Sequence, residues 1–469
     1  MPSRGHRIRP ESANCYMHIF EKCLALVFSL MILGQAYLVR RYVGTWLFPA
    51  CIFGLFWFGF TFFPLAILFW VPVNPYAIAF IFVCTVAVSM GSLVFDWKTA
   101  FARNAWKRET TATMYGSPFL RVVFYAASFA ALACVVLDSL AQGISLHDLF
   151  YNLIVSAAAY RDLGGYGYLD VTIFGRFGTM FIFLSVILGG LLFPAMPTRR
   201  GRWAVVVLAF LPPIFMAVAQ SSKWTLFASI VFFWAGILVR RVAIGNLLLF
   251  EKGNIKLLTL YALILILIAT VSFMSRGVYA VEDNEEVRNL LVARFASYSC
   301  SHIYGFSDWF SFVNGRHSEL AYGHESTTYG YYTFAPLFRV MGSHKVVAEG
   351  TFDDYYSYGD LLAGNIFTMF RGLVLDFGMI GSVLFMLTAG LLIHWAFCAM
   401  LRNKRPVFTV AVFVFAVTYF YWSFGVSMLS VSTTYLTFAI LWAVLQINKL
   451  IGQAGSRRLM MAAEVTAQP

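Results

Sequence analysis

Residues Trp46–Val71 read WLFPACIFGLFWFGFTFFPLAILFWV, without one charged side chain. At 1.5 Å per residue a helix over this run reaches about 39 Å, more than the roughly 30 Å of a bilayer's hydrocarbon core. A backbone in lipid must satisfy its own N–H and C=O groups, so an apolar run of this length is a membrane helix. Runs of the same character lie at Cys23–Val39, Tyr76–Phe95, Phe119–Leu140, Phe177–Ala195, Ala204–Ala219, Trp224–Val239, Leu257–Phe273, Phe377–Met400, Val407–Phe424 and Met428–Ile447. The expectation is an all-α polytopic membrane protein with about eleven spans, plus or minus one.

Composition agrees. Of the 469 residues 60% are hydrophobic and 12% charged, and the mean hydropathy is +0.75. A soluble domain carries about 25% charged residues. An ordinary soluble enzyme, a disordered chain and a disulfide scaffold are thereby excluded. An outer-membrane barrel would show alternating segments of about ten residues instead of these long runs. The seven Cys are scattered, with no CxxC and no Cys/His metal spacing, so no metal site is expected.

The net charge is +12. It reflects loops, not nucleic acid. Basic residues gather at Lys98–Arg108, Arg199–Arg202, Arg240–Lys256 and Arg402–Arg405, and at Arg457 and Arg458. With the spans above, all of these fall on one side, which the positive-inside rule makes cytoplasmic. Eleven spans then put the N-terminus outside, although it carries Arg4, Arg7 and Arg9. That basic start resembles a signal peptide, but Arg40 and Arg41 follow the apolar run, which suits an uncleaved first helix better.

Two polar segments lie on the opposite side. Ala141–Arg176 contains a patch, Leu149–Ala159, too short to span, as an interfacial or re-entrant helix would be. Ser275–Asn365 holds 11 of the 22 acidic residues against 6 of the 34 basic ones, with 4 of the 8 His and 10 of the 24 Tyr. It thus carries −5 against +17 for the rest of the chain. The expected organisation is an N-terminal helical part over 1–274 with loop 141–176, an external cap over 275–365 and a C-terminal helical part over 366–469. A long connection of this aromatic content is a functional folded cap, not a disordered loop.

No GxxxxGK[ST], GxSxG, HExxH or GxGxxG motif is present. Nucleotide use is not indicated, no cofactor is called for, and any reaction must draw on an activated substrate. The cap's Tyr329, Tyr331, Tyr332, Tyr355 and Tyr356 offer flat faces with polar tips, on which sugar rings stack. The same side chains can equally form an interfacial belt or a small core. Basic residues on the external side are a sharper signal, because cytoplasmic Lys and Arg are expected and external ones are not. They are Lys223, Arg276, Arg294, Arg339 and Arg371, which suit a lipid-linked phosphate or ion pairs with the cap's own acids. Carboxylates and His are the candidate proton acceptors, His324 and Asp376 among them. Asp376 lies in the otherwise apolar Leu373–Gly381, where a charge is costly. It can also serve as a helix N-terminal cap.

Four stretches together resemble the bacterial O-antigen polymerase (Wzy) class, the oligosaccharide repeat unit polymerases. They are Gln220-Ser221-Ser222-Lys223 before a span, Leu291-Val292-Ala293-Arg294-Phe295 opening the long loop, Tyr329-Gly330-Tyr331-Tyr332-Thr333-Phe334 within it, and Arg371-Gly372-Leu373-Val374-Leu375-Asp376-Phe377-Gly378-Met379-Ile380-Gly381 leading into the next helix. The resemblance implies a metal-independent glycosyltransferase of the GT-C type in the bacterial inner membrane, with its active face periplasmic. Undecaprenyl-pyrophosphate-linked glycans would be both donor and acceptor. The bilayer and a polysaccharide chain-length regulator would be its other partners, with no nucleic acid. It further implies that Arg294, with Lys223 or Arg371, stabilises the departing pyrophosphate, with Asp376 in the catalytic set. Arg339, Arg276, His324 and the tyrosines would hold glycan. An O-antigen ligase-like transferase would share this layout. A lipid-linked oligosaccharide transporter should instead show charges deep in its spans or paired broken helices.

Overall fold

The computed structural model describes residues 12–105, 114–153, 156–157, 159–160, 172–220, 222–250, 284–323, 327–343, 352 and 354–466. The chain is an all-α polytopic membrane protein. Eight of its described helices are long and apolar enough to cross a bilayer.

In chain order the helices are α1 (Ser12–Val43), α2 (Pro49–Ile67), α3 (Pro75–Met90), α4 (Trp97–Ala105), α5 (Pro118–Ala141), α6 (Leu146–Tyr151), α7 (Ile173–Leu192), α8 (Arg199–Ala219) and α9 (Lys223–Ala243). They continue with α10 (Asn284–Val313), α11 (Tyr331–Val340), α12 (Met369–Arg402), α13 (Phe408–Trp422) and α14 (Ser432–Thr466). A two-stranded antiparallel hairpin, β1 (Tyr356–Tyr358) and β2 (Leu362–Gly364), precedes α12, with Ser357 opposite Ala363. Eight of the expected spans coincide with the long apolar helices. Tyr76–Phe95 and Val407–Phe424 correspond to the shorter α3 and α13. Leu257–Phe273 lies outside the described residues, as does the 274/275 boundary.

Local chemistry sets the ends. Proline stands in the first turn of α2, α3 and α5, where its missing N–H costs nothing. Asn74, Ser117, Thr172 and Thr198 cap α3, α5, α7 and α8 with their side-chain oxygens.

The spans alternate in direction, and their basic ends collect on one face. Thr45 Oγ1 donates to Leu247 O at 2.6 Å, Tyr115 Oη to Pro406 O at 3.0 Å, and Asn448 Nδ2 to Met114 O at 2.9 Å. Each bond joins connections on that basic face. At the other end Asn74 N donates to Ser307 Oγ at 2.7 Å and Met369 N to Ser423 O at 3.0 Å. Lys22 near the start of α1 reaches Leu68 O just beyond α2, at 3.1 Å. The start of helix α1 therefore lies at the face opposite the basic loops.

Small residues let the helices approach. A Cβ at Gly190 of α7 would stand 2.1 Å from Phe233 O, and one at Gly236 of α9 would stand 2.6 Å from Ile187 O. Gly91 just after α3 and Gly390 of α12 form a second crossing of this kind. Lipid supplies no hydrophobic drive between helices, so such backbone contact carries their packing.

Helix α10 departs from the picture of a cap standing clear of the bundle. It is not a spanning candidate, yet Ile303, Tyr304, Phe306, Trp309 and Phe310 are buried against α2, α3 and α12. The hairpin lies on α10, where Ala363 N donates to Ser297 Oγ at 2.9 Å and Gly305 leaves room for Phe367.

Replacing Gly190 by Val drives a branched side chain into the α9 backbone. The expected loss is about 3 kcal/mol, seen as a lowered thermal midpoint in detergent. Gly59→Ala should leave the midpoint within about 1 kcal/mol of wild type, because its Cβ would meet nothing closer than 3.9 Å. Equal midpoints for the two variants would contradict backbone-to-backbone packing of α7 and α9.

Candidate functional site

The expected residues separate into three groups at the face opposite the basic loops.

The first is built on Asp376. Helix α12 is broken at Gly378, whose φ of 67° and ψ of 178° belong almost exclusively to glycine. Before the break, Leu375 O accepts from Thr328 N at 3.0 Å. The fully buried Asp376 carboxylate accepts from Thr328 Oγ1 at 2.5 Å, Tyr332 N at 3.0 Å, Thr333 N at 2.7 Å and Thr333 Oγ1 at 2.6 Å. Tyr332 and Thr333 open α11. The carboxylate therefore caps the N-terminus of a helix distant in sequence, where a negative charge is favoured. Four donors occupy its acceptor positions, which corrects the expectation of a catalytic carboxylate: Asp376 positions the segment 328–333.

The second is built on Arg371, which is fully buried. Its Nη2 bonds to Asp354 Oδ2, and its guanidinium lies 4.0 Å from the ring centre of Phe352 and 4.3 Å from that of Phe367. Trp309 and Tyr322 stand at 5.4 and 5.5 Å. A weakly hydrated guanidinium suits such an aromatic box. Tyr322 in turn donates to Asp308 at 2.9 Å, and burial, with Asp308 beside it, raises its phenol pKa. Arg371 thus welds the hairpin region to α10 and α12, a correction to its expected place beside the leaving pyrophosphate.

The third is the half-buried Lys223 at the start of α9 and the exposed Arg294 on α10. Lys223 Nζ lies 5.1 Å from the ring centre of Tyr298. Tyr298 is one turn after Arg294, so the two stand on the same face of α10. Trp224 lies 5.9 Å from Phe424, which packs against His302 at 5.4 Å. His302 pairs through Nε2 with Phe60 O at 3.1 Å, and burial lowers its pKa to about 4, so the ring is neutral at pH 7. Lys223 of α9 thus lies against the turn of α10 that follows Arg294. Trp309, against Arg371, lies fifteen residues along α10 from Arg294, about 22 Å.

The tyrosines divide. Tyr331 and Tyr356 are buried, Tyr332 packs on Phe352 at 5.5 Å, while Tyr329 and Tyr355 are 81% and 53% exposed. Tyr329 has φ 52°, a left-handed conformation that is uncommon outside glycine and holds its ring outward. Arg339 is exposed at the C-terminal end of α11, where a cation suits the helix dipole. Arg276 and His324 lie outside the described residues.

Sequence reasoning passed over two buried charges. Asp138 near the end of α5 accepts from Tyr160 Oη at 2.9 Å, from Thr172 Oγ1 and from Gln220 Nε2 at 3.0 Å. Lys22 donates to Leu68 O and, at 2.9 Å, to Tyr304 Oη. A charge within an apolar run was the available signal for Asp138, while Lys22 stands just before one. Among the described residues no cluster of His, Cys, Asp and Glu could hold a metal ion. No family model matches the chain, and no curated protein and no solved structure matches it.

Asp376→Ala leaves the Tyr332 and Thr333 amides without their carboxylate. It should lower stability by about 3 kcal/mol, read as a fall in thermal midpoint. Thr333→Val should cost about 1 kcal/mol in the same assay. Wild-type stability in Asp376→Ala would show that the carboxylate does not anchor α11.

Proposed function

We propose that this protein is a membrane glycosyltransferase that polymerises undecaprenyl-pyrophosphate-linked oligosaccharide repeat units at the outer face of a bacterial inner membrane. The observation that carries this reading is Lys223 Nζ lying 5.1 Å from the ring of Tyr298, one helical turn from the exposed Arg294, on the face away from the basic loops. Two cations where the positive-inside rule asks for none suit the diphosphate of a lipid-linked donor. The resemblance of the motifs around Lys223, Arg294, Tyr329 and Arg371 supports the same assignment, and an all-helical membrane architecture is compatible with it.

In the reaction, a hydroxyl at the non-reducing end of one repeat unit attacks the anomeric carbon of the glycan on another carrier. A new C–O bond forms there, and the bond from that carbon to the pyrophosphate oxygen breaks. The carrier leaves as the pyrophosphate, and the hydroxyl proton passes to it or to water. Lys223 and Arg294 stabilise the negative charge that develops on the leaving oxygen, which is electrostatic catalysis. The exposed rings of Tyr329 and Tyr355 provide stacking faces for sugar. Arg371 and Asp376 act at one remove by fixing the segments that carry these rings.

Glycan profiling of a deletion strain tests the reading. The deletion should display single repeats, and wild-type protein should restore ladders. Lys223→Ala and Arg294→Ala, at matched membrane abundance, should each cut polymer by at least tenfold. Normal ladders in the deletion, or total loss of displayed repeats, would rule out a polymerase.

A further inference from the structure

At the basic face, the linker between α12 and α13 and the outer surface of α14 enclose a cavity of about 700 Å³. We infer that this cavity binds the phosphate headgroup of an anionic glycerophospholipid from the leaflet on that face. Lys404, Arg405 and Lys449 line it, and no acidic side chain does. Lys449 follows Trp442 and Gln446 on one stripe of α14, at spacings of four and three residues, and all three line the cavity.

Two further features point to an anion. The first turn of α13 opens onto the cavity through Phe408 and Thr409, and its N-cap residue, Val407, makes no side-chain cap bond. Its amides and dipole form the kind of helix start that takes phosphate. Thr409 is 7% exposed, lines the cavity, and its hydroxyl has no hydrogen-bond partner among the described residues. A phosphate oxygen would accept a hydrogen bond from that hydroxyl. The floor is fixed beforehand, since Tyr115 Oη holds Pro406 O at 3.0 Å.

The apolar rim selects a lipid over a free anion. Phe408 and Trp442 meet edge-on at 6.2 Å and are 43% and 46% exposed. Trp442 lies seven residues from Lys449, about 10 Å along the helix, roughly the depth from headgroup to acyl chain. Basic pockets between membrane helices on this side are suited to anionic headgroups.

The full chain, purified in detergent, should be titrated with phosphatidylglycerol and with phosphatidylcholine and read by native mass spectrometry. Phosphatidylglycerol should bind preferentially. Its affinity should fall about 100-fold in the triple variant K404Q/R405Q/K449Q and about fivefold in Thr409→Val. The double variant R199Q/R200Q, on the same face but outside the cavity, should bind as wild type does. Millimolar inorganic phosphate should leave the lipid bound. Equal binding of the two lipids, or displacement by phosphate alone, would overturn the lipid assignment. Unchanged affinity in Thr409→Val and the triple variant would overturn the site. Should the triple variant lose its thermal transition, Thr409→Val and Lys449→Gln decide by the same criterion. The inference stands independently of the reaction proposed at the opposite face.

Discussion

The outer ends of these helices are tied together by polar groups that cannot stay unsatisfied away from water. Lys22, Asp138, Arg371 and Asp376 are all at most 3% exposed. Each is matched by a segment remote in sequence: Lys22 by Leu68 and Tyr304, Asp138 by Gln220 and Thr172, Arg371 by Asp354, and Asp376 by residues 328–333. A buried charge without partners is heavily penalised, so these matches fix which loops lie over which helix ends. The break at Gly378 belongs to this scheme. It frees a carbonyl at Leu375 and turns the helix so that one short stretch supplies both a carbonyl and a carboxylate to the start of α11.

This explains how much of the architecture could be read from sequence. Trp46–Val71 was legible because lipid leaves an apolar run of that length one conformation. Lys223 and Arg294 were legible as cations on the wrong side for a loop. The burial of α10 was not. Its apolar residues Cys300, Ile303, Tyr304, Phe306 and Phe310 share the helix with Arg294, His302 and Asp308. Such an amphipathic stretch falls below any spanning threshold and reads as a surface segment. The roles of Arg371 and Asp376 were also hidden. Their chemistry stood out, but what decides between catalysis and anchoring is the partner, and both partners arrive through tertiary contacts.

The two faces of the molecule use positive charge in opposite ways. On the basic face the cations are many, and Arg41, Lys98, Arg103, Arg199, Arg200 and Lys404 among them are exposed near helix ends. On the other face several described cations have a particular neighbour: Lys22 a helix C-terminus, Arg371 a box of rings, Lys223 the Tyr298 ring. Surface cations fix orientation in the bilayer, while enclosed ones fix structure. Lys223 and Arg294 lie between these cases, as does the exposed Arg316 over the Tyr76 ring at 4.4 Å. Lys223 is half-buried with its ammonium nitrogen enclosed beside the Tyr298 ring, while Arg294, one turn from Tyr298 on α10, is exposed. A site for a lipid diphosphate needs both properties. Order keeps the cations in place as charge develops on the leaving oxygen, and exposure lets a bulky glycan approach. Arg371 has the first property without the second, and Arg339 the second without comparable enclosure, which is why the functional assignment rests on Lys223 and Arg294.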